Sequence, residues 1–310
     1  MRLDISFTPI LFAAVAVTRA NGFSQGTRWV GARRHIQSSS SLGMVQNRGL
    51  ERRREGATPT GSWTLFVTYL FDNFVENAIL TNSHLFLTEG GMTIYLKAGP
   101  DGTSVGDCPF AQFVRMVLEE KGLEYTVKPC VQETKPSWLV EFYDGKMPAL
   151  RHRKECYVES DVIAEYLDFF FRDPPLKSLD RDAMEAAEEA TAGLFPAIAQ
   201  YLKHTPDGDD VDEEKKENLE AALSKLETHL QEAGGPLMTG ESMTLVDCSL
   251  APKLFHMQTG IESFKNDAIN VQSQFPAVGA YMDAVFARDS FQNTSCPKET
   301  VTWGWGNARS

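Results

Sequence analysis

The 310-residue chain carries 30 Lys+Arg against 42 Asp+Glu, a formal net charge of −12, and with 42% hydrophobic residues it has enough apolar material for a core and length for about two domains. That balance excludes wholesale disorder and argues against a nucleic-acid surface, which needs clustered positive charge. Five cysteines, Cys108, Cys130, Cys156, Cys248 and Cys296, form an odd, scattered set with no C-x-x-C pair, which speaks against a disulfide framework and against a metal site of the structural zinc kind.

The charge is unevenly spread, because residues 1–60 hold nine Arg and only three acids and are therefore +6 on a chain whose remainder is −18. Arg2 leads into the apolar run Ile10 to Val17, too short to span a bilayer but suited to a signal-peptide core, and Ala20 and Gly22 bracket a cleavage point before Phe23. Arg33, Arg34 and the serines 38–41 then have transit-peptide character. A signal peptide at 1–22 followed by a plastid transit-like segment at 23–60 resembles the two-part presequence of algae whose plastids lie inside extra membranes. The expected destination is a plastid. Simple secretion is the alternative, and the odd cysteines weigh against it. Residues 61–91 are an unassigned extension. Trp63, Leu65, Phe66, Tyr69, Phe71 and Phe74 are dense there, but Asp72, Asn73 and Glu76 interrupt any uncharged run long enough for a stable membrane span.

From Met92 the pattern becomes regular. Thr93 to Ala98 has the β-branched and aromatic make-up of a strand, and a loop from Gly99 to Gly106 leads to Asp107, Cys108, Pro109 and Phe110. Phe110, Phe113, Val114, Val117 and Leu118 then fall at helical spacing, with Glu119, Glu120 and Lys121 expected in solvent before a stop at Gly122. A strand at 123–128, a short helix opening at Lys135-Pro-Ser-Trp138, a hairpin from Lys146 to Val158 and a helix from Glu159-Ser160-Asp161 to Leu167 complete a β-α-β-α-β-β-α unit over 92–172. Beyond Asp173-Pro174-Pro175, in 173–310, helices are predicted at 183–195, 213–233 and 245–255, and no strand. Leu219, Leu223, Leu226 and Leu230 share one helical face, and Thr244 with Asp247 forms a capping box. The fold class is therefore α/β plus all-α, a sheet-containing first domain and a helical bundle second.

The chemistry concentrates at Cys108. On this reading it caps a helix with Pro109 at the first helical position, where free N–H groups and the helix dipole depress a thiol pKa from about 8.5 toward neutrality and yield the nucleophilic thiolate. A lone cysteine is otherwise a small buried hydrophobe, but the loop-Cys-Pro-aromatic-helix order favours a redox or glutathione-linked role. Ala111 stands where a dithiol oxidoreductase keeps its resolving cysteine, so an external thiol must complete any redox cycle. Pro148 after Met147 reads as an ordinary trans edge proline, with a cis bond presenting the Met147 backbone to a peptide-like ligand as the alternative. Ser160 between Glu159 and Asp161 serves either as a simple N-cap or as a carboxylate holder.

The pieces Leu96-Lys97-Ala98, Gly106-Asp-Cys-Pro-Phe110, Leu118 to Lys121, Lys135 to Trp138, Lys146-Met147-Pro148, Glu159 to Ile163, Leu250 to His256, Ser290-Phe291 and Gly304-Trp305 together resemble plant-type dehydroascorbate reductases of the glutathione transferase superfamily. The resemblance implies a glutathione transferase-like fold, with a thioredoxin-like N-terminal domain and a C-terminal helical bundle, in a monomer. It implies glutathione-dependent reduction of dehydroascorbate to ascorbate by a ping-pong route, with neither metal nor flavin. Carried over by position, Cys108 is the redox nucleophile. Lys135, Met147, Pro148, Glu159 and Ser160 bind glutathione, Lys97, Asp107 and His256 face dehydroascorbate, and Trp305 closes the pocket. Two departures are Ala111, where the family has Ser or Cys, and the displaced C-terminal basic residue, for which Arg309 is the nearest candidate. Two other readings share the Cys-Pro-Phe segment: an omega-type thiol transferase acting on protein mixed disulfides, and a membrane-inserting protein of the chloride intracellular channel type. Asp101, Asp107, Arg115, Glu119 and Glu120 count against the latter.

Overall fold

The computed structural model describes residues 91–206 and 211–309. Residues 1–60, read above as a presequence, and the extension up to residue 90 lie outside the described residues. The first half contains strand β1 (Met92–Lys97), helix α1 (Pro109–Glu120), β2 (Tyr125–Cys130), α2 (Ser137–Tyr143), the hairpin β3 (Ala149–His152) and β4 (Glu155–Val158), and α3 (Ser160–Phe170). The sheet runs β2-β1-β3-β4, with β1 parallel to β2 and the other neighbours antiparallel. The element order is the β-α-β-α-β-β-α read from the residues, and the sheet is that of the thioredoxin-like domain the resemblance implied.

The second half is helical among the described residues: α4 (Arg181–Thr191), α5 (Leu194–Lys203), α6 (Val211–Glu232), α7 (Leu245–Phe264), α8 (Val271–Gln274), α9 (Pro276–Phe286), α10 (Asp289–Gln292) and α11 (Lys298–Ala308). The single helix predicted over 183–195 is two, because the chain turns at Gly193, where φ is +82°. The predicted 245–255 helix runs on to Phe264 through an internal Pro252. Leu219, Leu223, Leu226 and Leu230 are buried on one face of α6. Asp247 accepts from the Thr244 N–H at 2.9 Å and hydroxyl at 2.6 Å, the capping box read from the sequence, and also from the Met238 N–H at 3.0 Å.

Helix α1 differs most from its sequence reading. Val114, Val117 and Leu118 face the core as predicted, but Gln112, Arg115 and Lys121 are buried as well, because the helix packs against α3 on one side and α7 on the other. The expectation that Glu119, Glu120 and Lys121 lie in solvent fails for the last two. Lys121 Nζ donates to Asp168 Oδ1 at 2.8 Å and to the Phe171 and Pro174 carbonyls at 2.7 and 2.8 Å, so all three ammonium protons are used. Glu120 accepts a two-pronged bond from Arg288 at 2.9 and 2.8 Å and one from the Ser290 hydroxyl at 2.5 Å. Arg115 donates to the Thr294 and Asn293 carbonyls at 2.7 and 3.0 Å. These bonds tie α1 to the chain on both sides of it.

A buried ammonium whose every proton is taken cannot be replaced by an apolar chain without orphaning its partners. Lys121→Met is expected to lower unfolding stability by about 3 kcal/mol, read as a fall in the urea midpoint at an unchanged slope.

Candidate active site

The sheet register gathers the site at one edge. Antiparallel pairing of Tyr95 with Ala149 puts the end of β1, and so Lys97, beside the start of β3, where Pro148 lies. Pairing of Ala149 with Val158 brings the end of β4, and with it Glu159 and Ser160, to the same edge. The helices that follow β1 and β4 both begin there, so Cys108 at the start of α1 and Ser160 at the start of α3 share an edge with the proline.

The loop between β1 and α1 turns back on itself to deliver the cysteine. Gly106 donates its N–H to the Lys97 carbonyl at 2.8 Å, and a Cβ on it would lie 2.6 Å from the Lys97 and Ala98 carbonyl oxygens, so only glycine permits this approach. Asp107 is thereby placed against Lys97, whose Nζ reaches Oδ1 at 2.7 Å. Cys108 follows as the N-cap of α1, with Pro109 at the first helical position as predicted. The Cys108 carbonyl accepts the N–H groups of Ala111 and Gln112, both at 3.1 Å.

The electrostatic expectation for this thiol needs correction. Burial pushes the half-buried Cys108 thiol above its ordinary value, and the Asp107 carboxylate adds to that, while the N–H groups of Ala111 and Phe110 and the Lys97 ammonium pull downward. The helix start acts in the direction predicted, but α1 is packed on both sides, and lost solvation of a charged sulfur outweighs it.

Helices α7 and α11 close the second side. His256 is buried, lies edge-to-face against Trp305 at 6.1 Å, and has Asp107 and Lys97 as its charged neighbours. Burial holds its pKa down at about 4, so the imidazole is neutral at ordinary pH. The Trp305 indole N–H is buried without a hydrogen-bond partner. Two residues to which the sequence reading gave no role, Trp303 and Gly304, belong here. Lys97 Nζ stands 5.2 Å from the centre of the exposed Trp303 ring. Gly304 presses on Asp107 so closely that a Cβ would sit 1.7 Å from Oδ2. The Gly304-Trp305 pair gave the place, but no periodicity announced α11, so neither the contact of Gly304 nor the face bearing Trp303 was legible.

The remaining predicted residues form an adjoining group. Met147–Pro148 is cis, which corrects the trans reading. Glu159 caps α3 with φ +69° and pairs with Lys146 at 2.8 Å. Ser160 is therefore the first helical residue rather than the N-cap, and it is buried. The half-buried Lys135 lies against Gly145, just before Lys146 and Met147. Arg309 does not join either group, since it donates to the Leu202 carbonyl and lies 4.7 Å from the Phe264 ring centre. Of the other thiols, Cys130 and Cys248 are buried and burial raises both; Cys156 and Cys296 are pushed up to about 11 by burial.

Comparison with known proteins agrees with this architecture. Residues 107–168 match the glutathione S-transferase N-terminal domain and residues 181–284 the glutathione S-transferase C-terminal domain. Glutathione S-transferase DHAR2 of Arabidopsis thaliana is 35% identical over 202 residues, 65% of this chain and 90% of the relative. The chloroplastic glutathione S-transferase DHAR3 of the same plant is 32% identical over 204 residues, 65% of this chain and 74% of the relative. The crystal structure of Chlamydomonas reinhardtii dehydroascorbate reductase superposes with a TM-score of 0.61 at 30% identity, covering 70% of this chain and 98% of that one. An omega glutathione transferase from Trametes versicolor, at 19% identity and a TM-score of 0.59 over 73% of this chain and 94% of that one, shares the fold alone. By sequence and by fold, the chain belongs to the glutathione transferase superfamily and, within it, to the plant-type dehydroascorbate reductases.

Proposed function

We propose that this protein reduces dehydroascorbate to ascorbate at the expense of two glutathione molecules, with Cys108 as the single redox centre. The observation that carries the reading is the placement of one cysteine at the start of α1 between a Lys97–Asp107 ion pair and the group that includes Ser160 and cis-Pro148. The names of its relatives support the substrate.

The steps follow from the thiol chemistry. Cys108 thiolate adds to a carbonyl carbon of dehydroascorbate. A glutathione thiolate then attacks Cys108 Sγ, forming a mixed disulfide and expelling ascorbate with the carbon–sulfur bonding pair, which takes up protons. A second glutathione attacks the glutathionyl sulfur, releasing glutathione disulfide and Cys108 thiolate. Two thiols are oxidised and one dehydroascorbate is reduced, so the electrons balance without a further carrier. Lys135, the Met147 backbone, Pro148, Glu159 and Ser160 hold the first glutathione, its γ-glutamyl carboxylate at the start of α3. Lys97, Asp107, His256 and Trp305 face dehydroascorbate. Lys97 supplies positive charge where the leaving enediol gathers negative charge, and the buried, neutral His256 packs on Trp305 beside Asp107.

Cys108→Ser is expected to bring ascorbate formation, followed by its ultraviolet absorbance, to the uncatalysed rate; a variant as fast as the parent protein would remove the proposal. Because Asp107 raises and Lys97 lowers the Cys108 pKa, Asp107→Asn should move the midpoint of Cys108 alkylation to lower pH and Lys97→Met should move it to higher pH. Iodoacetamide labelling rates across pH check both signs.

A further inference from the structure

Lys253 is a cation in the site's neighbourhood to which the reaction above gives no task. It lies on α7, three residues before His256, and is half-buried. Its Nζ donates to the Ser249 hydroxyl at 2.8 Å, one turn back on the same helix. No described carboxylate forms an ion pair with it. The ammonium stands 5.9 Å from the ring centre of Phe110, two residues beyond Cys108, and that ring meets Phe195 of α5 edge-on at 5.3 Å. Its electrostatic neighbour from the other domain is Asp161, in the first turn of α3 immediately after Ser160. The cation therefore projects from the helical domain toward the ground between the starts of α1 and α3. An ammonium partly withdrawn from water, with a hydroxyl and a ring face as its contacts, is left without a counter-charge, and a carboxylate would supply one.

We propose that Lys253 takes the α-carboxylate of the γ-glutamyl end of glutathione from the helical-domain side, opposite Ser160 and the free N–H groups of α3. This rests on the reading that the start of α3 holds glutathione. Asp161 then faces the α-ammonium of the same end, so that the two charges of the ligand's amino-acid head meet two charges of opposite sign from different domains. Lys253 is thus a specificity residue, selecting glutathione over thiols that lack this head, and it stands apart from the bond-making at Cys108.

The test compares glutathione with cysteinylglycine, which keeps the thiol and lacks the γ-glutamyl head, in the parent protein and in Lys253→Met, which preserves the length of the stem. Lys253→Met should raise the KM for glutathione about tenfold, the loss of one charge-assisted bond. It should leave the KM for dehydroascorbate and the rate with saturating cysteinylglycine within about twofold of the parent. Lys253→Arg should recover most of the glutathione KM. An unchanged glutathione KM, an equal loss with both thiols, or a rise confined to dehydroascorbate would overturn the assignment. Calorimetric titration of glutathione into Cys108→Ser, with and without Lys253→Met, separates this from the reaction itself. If the parent protein makes no ascorbate yet the titration weakens on loss of Lys253, the reaction assignment falls and this one stands. If the titration is indifferent to Lys253, this assignment falls.

Discussion

The carboxylate of Asp107 is the joint on which the site depends. Three elements converge on this residue: Lys97 at the end of β1 through an ion pair, His256 of α7 through the carboxylate's charge, and α11 through Gly304, where the missing side chain leaves just enough room. Asp107 is also the residue before Cys108, the proposed nucleophile. Asp107 thus links the helical domain to the loop that carries Cys108, and the bonds from α1 and its cap to Asp168, Arg288 and the Asn293–Thr294 carbonyls hold the rest of the helix.

This arrangement sets two physical demands against each other. Close packing of α1 positions the thiol, yet the same packing strips solvent from a sulfur that must carry charge to react. The helix start and Lys97 favour the thiolate, while burial and Asp107 oppose it. Lys97 and Asp107, paired with each other at 2.7 Å, pull the thiol in opposite directions. On the proposed mechanism, the thiolate population of Cys108 is set by a pair of charges that can be altered singly, which differs from a thiol activated by an adjacent base.

Much of this was legible in the residues. The strand, turn and helix signals around Cys108 needed only local propensity and the proline at the first helical position. The leucine face of α6 and the Thr244–Asp247 box are likewise local patterns. What escaped were features decided by tertiary packing. A solvated C-terminal end is the sequence expectation for α1, and Lys121 instead lies buried because α3 and the following turn supply three acceptors that no sequence window contains. The raised Cys108 pKa has the same origin, since burial belongs to the assembled domains and not to the helix start. Gly193 broke a helix whose composition favoured continuity. Trp303, Gly304 and Lys253 acquired meaning only when α7 and α11 were laid against the loop before α1.

The central claim is that one cysteine carries the reaction through a covalent bond to glutathione. Mass spectrometry of the protein quenched after dehydroascorbate and a single equivalent of glutathione tests it most directly. One glutathionyl group is expected, on the peptide that contains Cys108, and it should be lost when further glutathione is added. A modification on Cys130, Cys156, Cys248 or Cys296, or ascorbate release with Cys108 unmodified throughout, would contradict it.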